Sequence, residues 1–324
     1  MKSSFATEEN RCEFVFRKLG PCWHLYTPEN FPVILATKED YCTAMTLLAV
    51  CALCFPSIRI LTFQWMSNHL HLTLAGTVEE ISEMFAMLKK YLGNYLSSRG
   101  RTVSLEGWDF KLRKIESLSD IRNVIAYNNR NGFLVHSDST PFIYPWGANR
   151  FLFNPDALQR FRDCRETFPK AAFRDLFRTH RFDALTGKPL LDGSIPPPAF
   201  CDINSTEGLY RNARHYFYVI SRNMESMKTI AREIGESVYY TDDDLYTILL
   251  GICRKQYNVG SPALIPAQAK VEVARKLHYE YNANVKQIVR MLKIERSILE
   301  SLFPIERGQA REGLSEANSS IKHI

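Results

Sequence analysis

At 324 residues the chain is long enough for about two domains. A hydrophobic content of 45% is ordinary for a protein with a packed core, and 41 Lys and Arg against 35 Asp and Glu leave a formal charge of +6. That mild excess permits a polyanionic partner without demanding one, and the longest apolar run, Met45 to Phe55, is too short to span a bilayer.

In chain order, the polar stretch Met1 to Arg11 has no apolar segment behind it, so no signal peptide is expected. Trp23 to Thr27 reads as a short strand, followed by the turn residues Pro28-Glu29-Asn30. Glu39 to Cys54 carries helical apolar spacing and stops before Pro56, where a helix should end. Ile58 to Trp65 and His69 to Leu74 read as two strands joined by Ser67-Asn68. Glu79 to Ser98 is the clearest helix, with Ile81, Met84, Phe85, Leu88, Tyr91, Leu92, Tyr95 and Leu96 at helical spacing. Trp108 to Ile115 reads as another strand. Ser117 to Asn131 reads as a helix, capped by Ser117 or Ser119 and with Asp120 in its first turn. This order, strand-helix-strand-strand-helix-strand, predicts an α+β domain with a ferredoxin-like antiparallel sheet over about residues 15–150.

Past Arg150 the character changes. Residues 151–239 contain Gly187-Lys188-Pro189 and Pro196-Pro197-Pro198 and read as a linker and accessory helical region. Residues 240–305 are all-α, and 306–324 are polar and small, the composition of a disordered tail. The eight cysteines are scattered, which argues against a disulfide framework and for a reducing cytoplasm. Cys51 and Cys54 form a lone C-x-x-C without a second ligand pair, so they read as structural thiols.

The segment Met66-Ser67-Asn68-His69-Leu70-His71-Leu72-Thr73-Leu74 alternates strictly from His69. Side chains of a strand alternate faces, so His69, His71 and Thr73 share one side while Leu70, Leu72 and Leu74 point into a core. Two imidazoles so placed can ligate one metal ion. On spacing alone, a half-buried strand with two surface histidines is the better description.

The stretch resembles the M-P-N-H-hydrophobic-H segment of REP-associated tyrosine transposases and their insertion-sequence relatives, single-strand DNA transposases of the HUH type. Ser67 stands where that family usually has proline, a change that a turn tolerates. Trp23-His24-Leu25-Tyr26 is similar to the family's first strand, and Trp108-Asp-Phe-Lys-Leu-Arg113 loosely to its W-x-x-R-[FY]-K region. The resemblance implies an HUH nuclease fold and a bacterial, nucleoid-associated protein acting on single-stranded or hairpin DNA, with no membrane partner. It implies a Mg²⁺ or Mn²⁺ ion held by His69, His71 and an Asn or Gln four residues after a nucleophilic tyrosine.

Tyr127 is the candidate nucleophile, and Asn131 then completes the metal site. On a helix turning about 100° per residue, Ile121, Val124 and Ile125 form the buried stripe and Tyr127 flanks it. The bland alternative is an amphipathic helix tyrosine with its hydroxyl in water. Tyr91 and Tyr95 fall on the apolar stripe of the earlier helix and read as core. After Asn131 the chain continues Gly132-Phe133-Leu134-Val135 and lacks the family's N-P-V-x-x-G continuation. Whether Tyr127 acts within its own chain or across a homodimer is open.

Backbone phosphates would be met by Lys89, Lys90, Arg99, Arg101, Lys111, Arg113 and Lys114, although each reads first as part of a solvated face. Trp108 reads as a strand aromatic or as a platform for an unpaired base. Lys270 to Phe303 reads as three short helices, which resemble the DNA-binding domain of replication initiators of the DnaA type. The expected recognition helix, Glu295 to Glu300, carries two glutamates and one arginine, and Lys286, Arg290, Lys293 and Arg296 are its phosphate candidates. A three-helix protein-docking module fits nearly as well. For the whole chain, the leading expectation is an enzyme that cleaves and rejoins DNA through a 5′-phosphotyrosine. The alternative is a non-catalytic DNA-binding regulator on the same scaffold. A His-x-His metallohydrolase would need a carboxylate ligand that is not near in sequence.

Overall fold

A computed structural model describes residues 2–135, 144–167, 169, 187–222, 229–231, 233–235, 240 and 242–303, with the backbone alone for 2–6, 131–135 and 222. The chain forms two compact units, residues 1–230 and 231–324. The expected tail, 306–324, lies outside the described residues.

The first unit is α+β. It begins with α1 (Lys2–Leu19), β1 (Cys22–Tyr26), α2 (Lys38–Cys54), β2 (Arg59–Trp65), β3 (Leu70–Ala75), α3 (Val78–Ser98), β4 (Lys111–Ile115) and α4 (Leu118–Val135). The four strands make one antiparallel sheet in the order β2-β3-β1-β4.

Local sequence explains the boundaries. Thr37 and Asp40 form a capping box at the start of α2, and the chain leaves that helix at Phe55, before Pro56. The Asp40 carboxylate also accepts from the Tyr95 hydroxyl at 2.8 Å and pairs with Arg101 at 2.6 Å, which ties α2 to α3. Tyr95 is therefore core, as expected. Ser117 Oγ accepts from Asp120 N–H at 3.1 Å and opens α4. In the turn between β2 and β3, Met66 N–H bonds to the His69 carbonyl at 2.8 Å.

Three features depart from the expectations. Residues Met1 to Arg11 read as a polar stretch, but α1 runs through them; tertiary bonds hold it, including a bidentate pair between Glu9 and the buried Arg122 of α4 at 2.6 and 3.2 Å. β4 begins at Lys111 rather than Trp108, because the Trp108 ring turns inward. It is fully buried, stacked 6.1 Å from Trp65 and 5.2 Å from Phe85, and it donates Nε1–H to the Asn68 carbonyl at 3.2 Å. A base has no access to that ring. The helix expected to end at Asn131 continues to Val135.

The outer edge of β2 is covered by later chain, from the end of the expected catalytic domain and from the region that read as linker. Ala148 N–H bonds to the Phe63 carbonyl, Trp65 N–H to that of Trp146 and Asp202 N–H to that of Ile60. Gly147 permits this approach: a Cβ there would meet the Phe63 oxygen at 2.8 Å. The chain continues through α5 (Pro155–Asp163), α6 (Ile203–Gly208) and α7 (Ala213–Arg222), and α7 packs on α4. The other edge, β4, presents exposed Lys111 and Lys114, charges that discourage edge pairing.

In the second unit, α8 (Asp242–Tyr257) precedes α9 (Ala267–Tyr281), α10 (Val285–Leu292) and α11 (Arg296–Leu302). Asn282 and Lys293, both in the left-handed region, end α9 and α10 and make the tight turns. Val273, Leu277, Ile288, Leu292 and Leu299 fill the core. Ile298 is 44% exposed. Among the described residues no helix is long and apolar enough to cross a membrane. All eight cysteines are free, and burial pushes the Cys51 thiol far up, as suits a packing residue.

Candidate functional site

The β pairing gives one face of the sheet an unusual composition. His71 lies opposite Tyr26 on β1 and Gln64 on β2, while Thr73 lies opposite His24 and Thr62. Directly opposite residues point to the same side, so His24, Tyr26, Thr62, Gln64, His71 and Thr73 form one polar layer, and all are buried. α4 covers it with Tyr127, Asn128 and Asn129, which are also buried. Asn128 Nδ2 donates to Thr73 Oγ1 at 2.8 Å, and the Thr62 hydroxyl donates to Asn129 Oδ1 at 2.7 Å.

The expected strand alternation therefore holds, with one correction: the histidine face is not a surface. His71 has no exposed area, His69 9% and Tyr127 5%. Tyr127 was expected to flank the core; instead it fills a gap between sheet and helix. Its ring centroid lies 5.7 Å from that of His71 and 6.0 Å from that of His24, edge-on to both. The rings of His69 and His71 are 4.9 Å apart and perpendicular.

Burial sets the charge of the histidines. It holds His71 down at about 3, and it holds His24 and His69 well below 6.5, with neighbouring His71 as a further cause for both. All three rings are neutral at pH 7, the form in which imidazole ligates a metal. His69 and His71 thus fit as two nitrogen donors for a divalent ion. Asn131 lies one turn beyond Tyr127 on α4, and its side chain is outside the described residues. Among the described residues no three of His, Cys, Asp and Glu gather as a metal-binding group. His24 Nε2 lies 3.2 Å from His71 Nδ1 and is engaged there.

Comparison with protein-family models, curated proteins and solved structures finds no match.

The basic residues divide by partner. Lys89 pairs with Asp109 at 2.5 Å, Arg99 with Glu39, Arg101 with Asp40, and Arg113 with Asp120 at 3.0 Å. Lys90, Lys111 and Lys114 are exposed. Lys111 is the one opposite Tyr26 in register, on the histidine side of the sheet and at its rim. In the second unit Arg296 bonds to Glu300 within α11 and Arg290 pairs with Asp242, while Lys286 and Lys293 are exposed.

His24 and Asn128 are the site residues that reading the sequence for ligands and a nucleophile missed. His24 alternates with the apolar Trp23 and Leu25, the same cue that marked His71. Asn128 carried no cue, since Tyr127-Asn128-Asn129-Arg130 reads as the wet side of an amphipathic helix.

Proposed function

We propose that the first unit is a metal-dependent single-strand DNA nuclease and strand transferase of the HUH type, with Tyr127 as nucleophile. The observation that carries this reading is the meeting of Tyr127 with His71 at 5.7 Å between ring centroids, in a buried layer assembled from α4, β1 and β3. The element order of the sheet region and its strand order β2-β3-β1-β4 support a ferredoxin-like, HUH-type fold.

In this reading the Tyr127 oxygen attacks phosphorus as the bond to the 3′-oxygen breaks. The electron pair and the phenolic proton end on that oxygen, giving a free 3′-hydroxyl and a 5′-phosphotyrosine. One phosphodiester replaces another, so the step runs backward on the same residue without an energy source. His69 and His71, with Asn131, would hold Mg²⁺ or Mn²⁺, and such an ion polarises the scissile phosphate. Two imidazole donors favour Mn²⁺ over the harder Mg²⁺. Lys111 is best placed to meet the DNA backbone. The second unit, with its three short helices and exposed Lys286 and Lys293, is read as a DnaA-like DNA-binding module, and the substrate as a hairpin-forming palindrome.

The low exposure of Tyr127 and His69 favours a second reading, a regulator that binds DNA on this scaffold without cutting it. Incubation of the protein with hairpin DNA and Mn²⁺ separates the two. Nicking that leaves a free 3′-hydroxyl and a protein-blocked 5′ end supports the nuclease; retention of the hairpin with no nick at any metal concentration supports the regulator.

A further inference from the structure

We propose that Asn68 and His24 are positioning residues that fix His69 and His71 as the tautomers protonated on Nδ1, so that Nε2 of each ring carries no proton. The purpose of this arrangement rests on the metal-site reading above, but the inference concerns proton positions that exist without any metal.

Each neutral ring carries one proton, and its partners decide which nitrogen holds it. For His69 the decision runs through the Asn68 carboxamide. Its Nδ2 donates to the carbonyls of Glu29 and Phe31, the latter at 3.0 Å. Carbonyls only accept, so the amide nitrogen must face them and Oδ1 must face His69. That oxygen lies 2.8 Å from His69 Nδ1, which therefore donates, and Nε2 is left bare.

For His71 the decision runs through His24 and Asn128. Asn128 Nδ2 donates to Thr73 Oγ1 at 2.8 Å, and the carboxamide oxygen can only accept. His24 Nδ1 has no other hydrogen-bond partner, and the neighbouring Asn128 carboxamide favours a proton on that ring. With its proton on Nδ1, His24 can only accept at Nε2, and His71 Nδ1 donates across the 3.2 Å contact. The opposite assignment would leave two acceptors, His24 Nδ1 and the Asn128 carboxamide oxygen, with no proton between them in a buried layer. The sequence Thr73, Asn128, His24, His71 is thus a support behind one imidazole, and Asn68 with its two carbonyls is the support behind the other. Metal-binding histidines are oriented by such donation from the nitrogen away from the ion.

The test is long-range ¹H–¹⁵N correlation on full-length, histidine-labelled protein without metal at neutral pH. The expected result is a protonated Nδ1 and a bare Nε2 on both His69 and His71. A protonated Nε2 on either ring would overturn the proposal. Mn²⁺ titration adds a second readout. His24→Ala and Asn68→Ala should weaken Mn²⁺ binding about 10–100-fold, whereas His24→Gln, whose carboxamide oxygen can accept from His71 Nδ1, should retain most of it. Measurable Mn²⁺ binding that is equally tight in wild type, His24→Ala and Asn68→Ala would also overturn it. Should an alanine variant fail to fold, the wild-type tautomers decide. Expected tautomers in a protein that binds no Mn²⁺ would sink the metal-site reading and leave this one standing; Mn²⁺ binding with protonated Nε2 would do the reverse.

Discussion

Leu72 and His71 are neighbours on β3 and neither has any exposed surface, yet they face opposite surroundings. On the Leu72 side, Leu25, Phe63, Trp65, Leu70 and Leu74 are buried in an apolar layer closed by α2, α3 and Trp108. On the His71 side, histidines, threonines and carboxamides are just as dry and must satisfy one another. Apolar groups gain by leaving water wherever they go, whereas buried polar groups cost stability unless each finds a partner. A layer that takes this second course along a whole sheet face departs from the rule for making a core, and such departures mark functional sites. The difference between the faces is therefore chemical, not one of burial.

Substitutions should separate the faces, and the largest effect is expected at His71. His71→Ala should reduce Mn²⁺-dependent DNA cleavage to background, measured by denaturing gel, whereas Leu72→Ala should lower cleavage only as far as it lowers the folded fraction. Acid should come next, and the polar face should contribute to it through its three histidines. The folded pKa values of His24, His69 and His71 lie below 6.5, so the unfolded chain takes up protons that the folded rings refuse. Stability is full above pH 6.5 and falls as the pH drops towards about 3 for His71, by up to about 1.4 kcal/mol per pH unit for each ring. Urea denaturation of the metal-free protein across that range should show the slope, and a flat profile would mean the rings are not buried as neutral species.

Leu72→Ala, a cavity in the apolar layer, should cost about 2–5 kcal/mol. Thr73→Val on the other face is nearly isosteric but strips Asn128 of an acceptor, and should cost about 1–3 kcal/mol. Equal tolerance of Thr73→Val and of a surface change would weaken the account of the polar layer. Smallest is Lys111→Ala. It should leave stability unchanged and lower the salt dependence of single-strand binding by about 0.7 in the log–log slope, seen by fluorescence anisotropy at several ionic strengths.

The sheet and its helices were legible because periodicity and breakers agreed. Ile58 to Trp65 and His69 to Leu74 alternated as strands, and Glu79 to Ser98 repeated as a helix. α1 was not legible, since what fastens it is Arg122, far along the chain. Trp108 was misread because an aromatic beside a strand looks the same whether it joins the strand or turns under it. In α4 the polar residues after Ile125 read as solvent-facing, but the helix is packed on both sides, by the sheet and by α7. Amphipathic reasoning assumes one wet side, and here that assumption hid Asn128 and the burial of Tyr127. The site was half legible for the same reason: His69, His71 and Tyr127 carried spacing, whereas the residues that support them carried only tertiary neighbours.

The assignment of Tyr127 is tested most directly by mapping a covalent adduct. The protein is reacted with single-stranded hairpin DNA and Mn²⁺, trimmed with nuclease, digested with trypsin and read by mass spectrometry. Cleavage after Arg122 and Arg130 isolates Tyr127 as the sole tyrosine of its peptide, apart from the peptide that holds Tyr91 and Tyr95. The account predicts a nucleotide on the Tyr127 peptide and none after Tyr127→Phe. An adduct on the Tyr91 and Tyr95 peptide, or one that survives Tyr127→Phe, would contradict it.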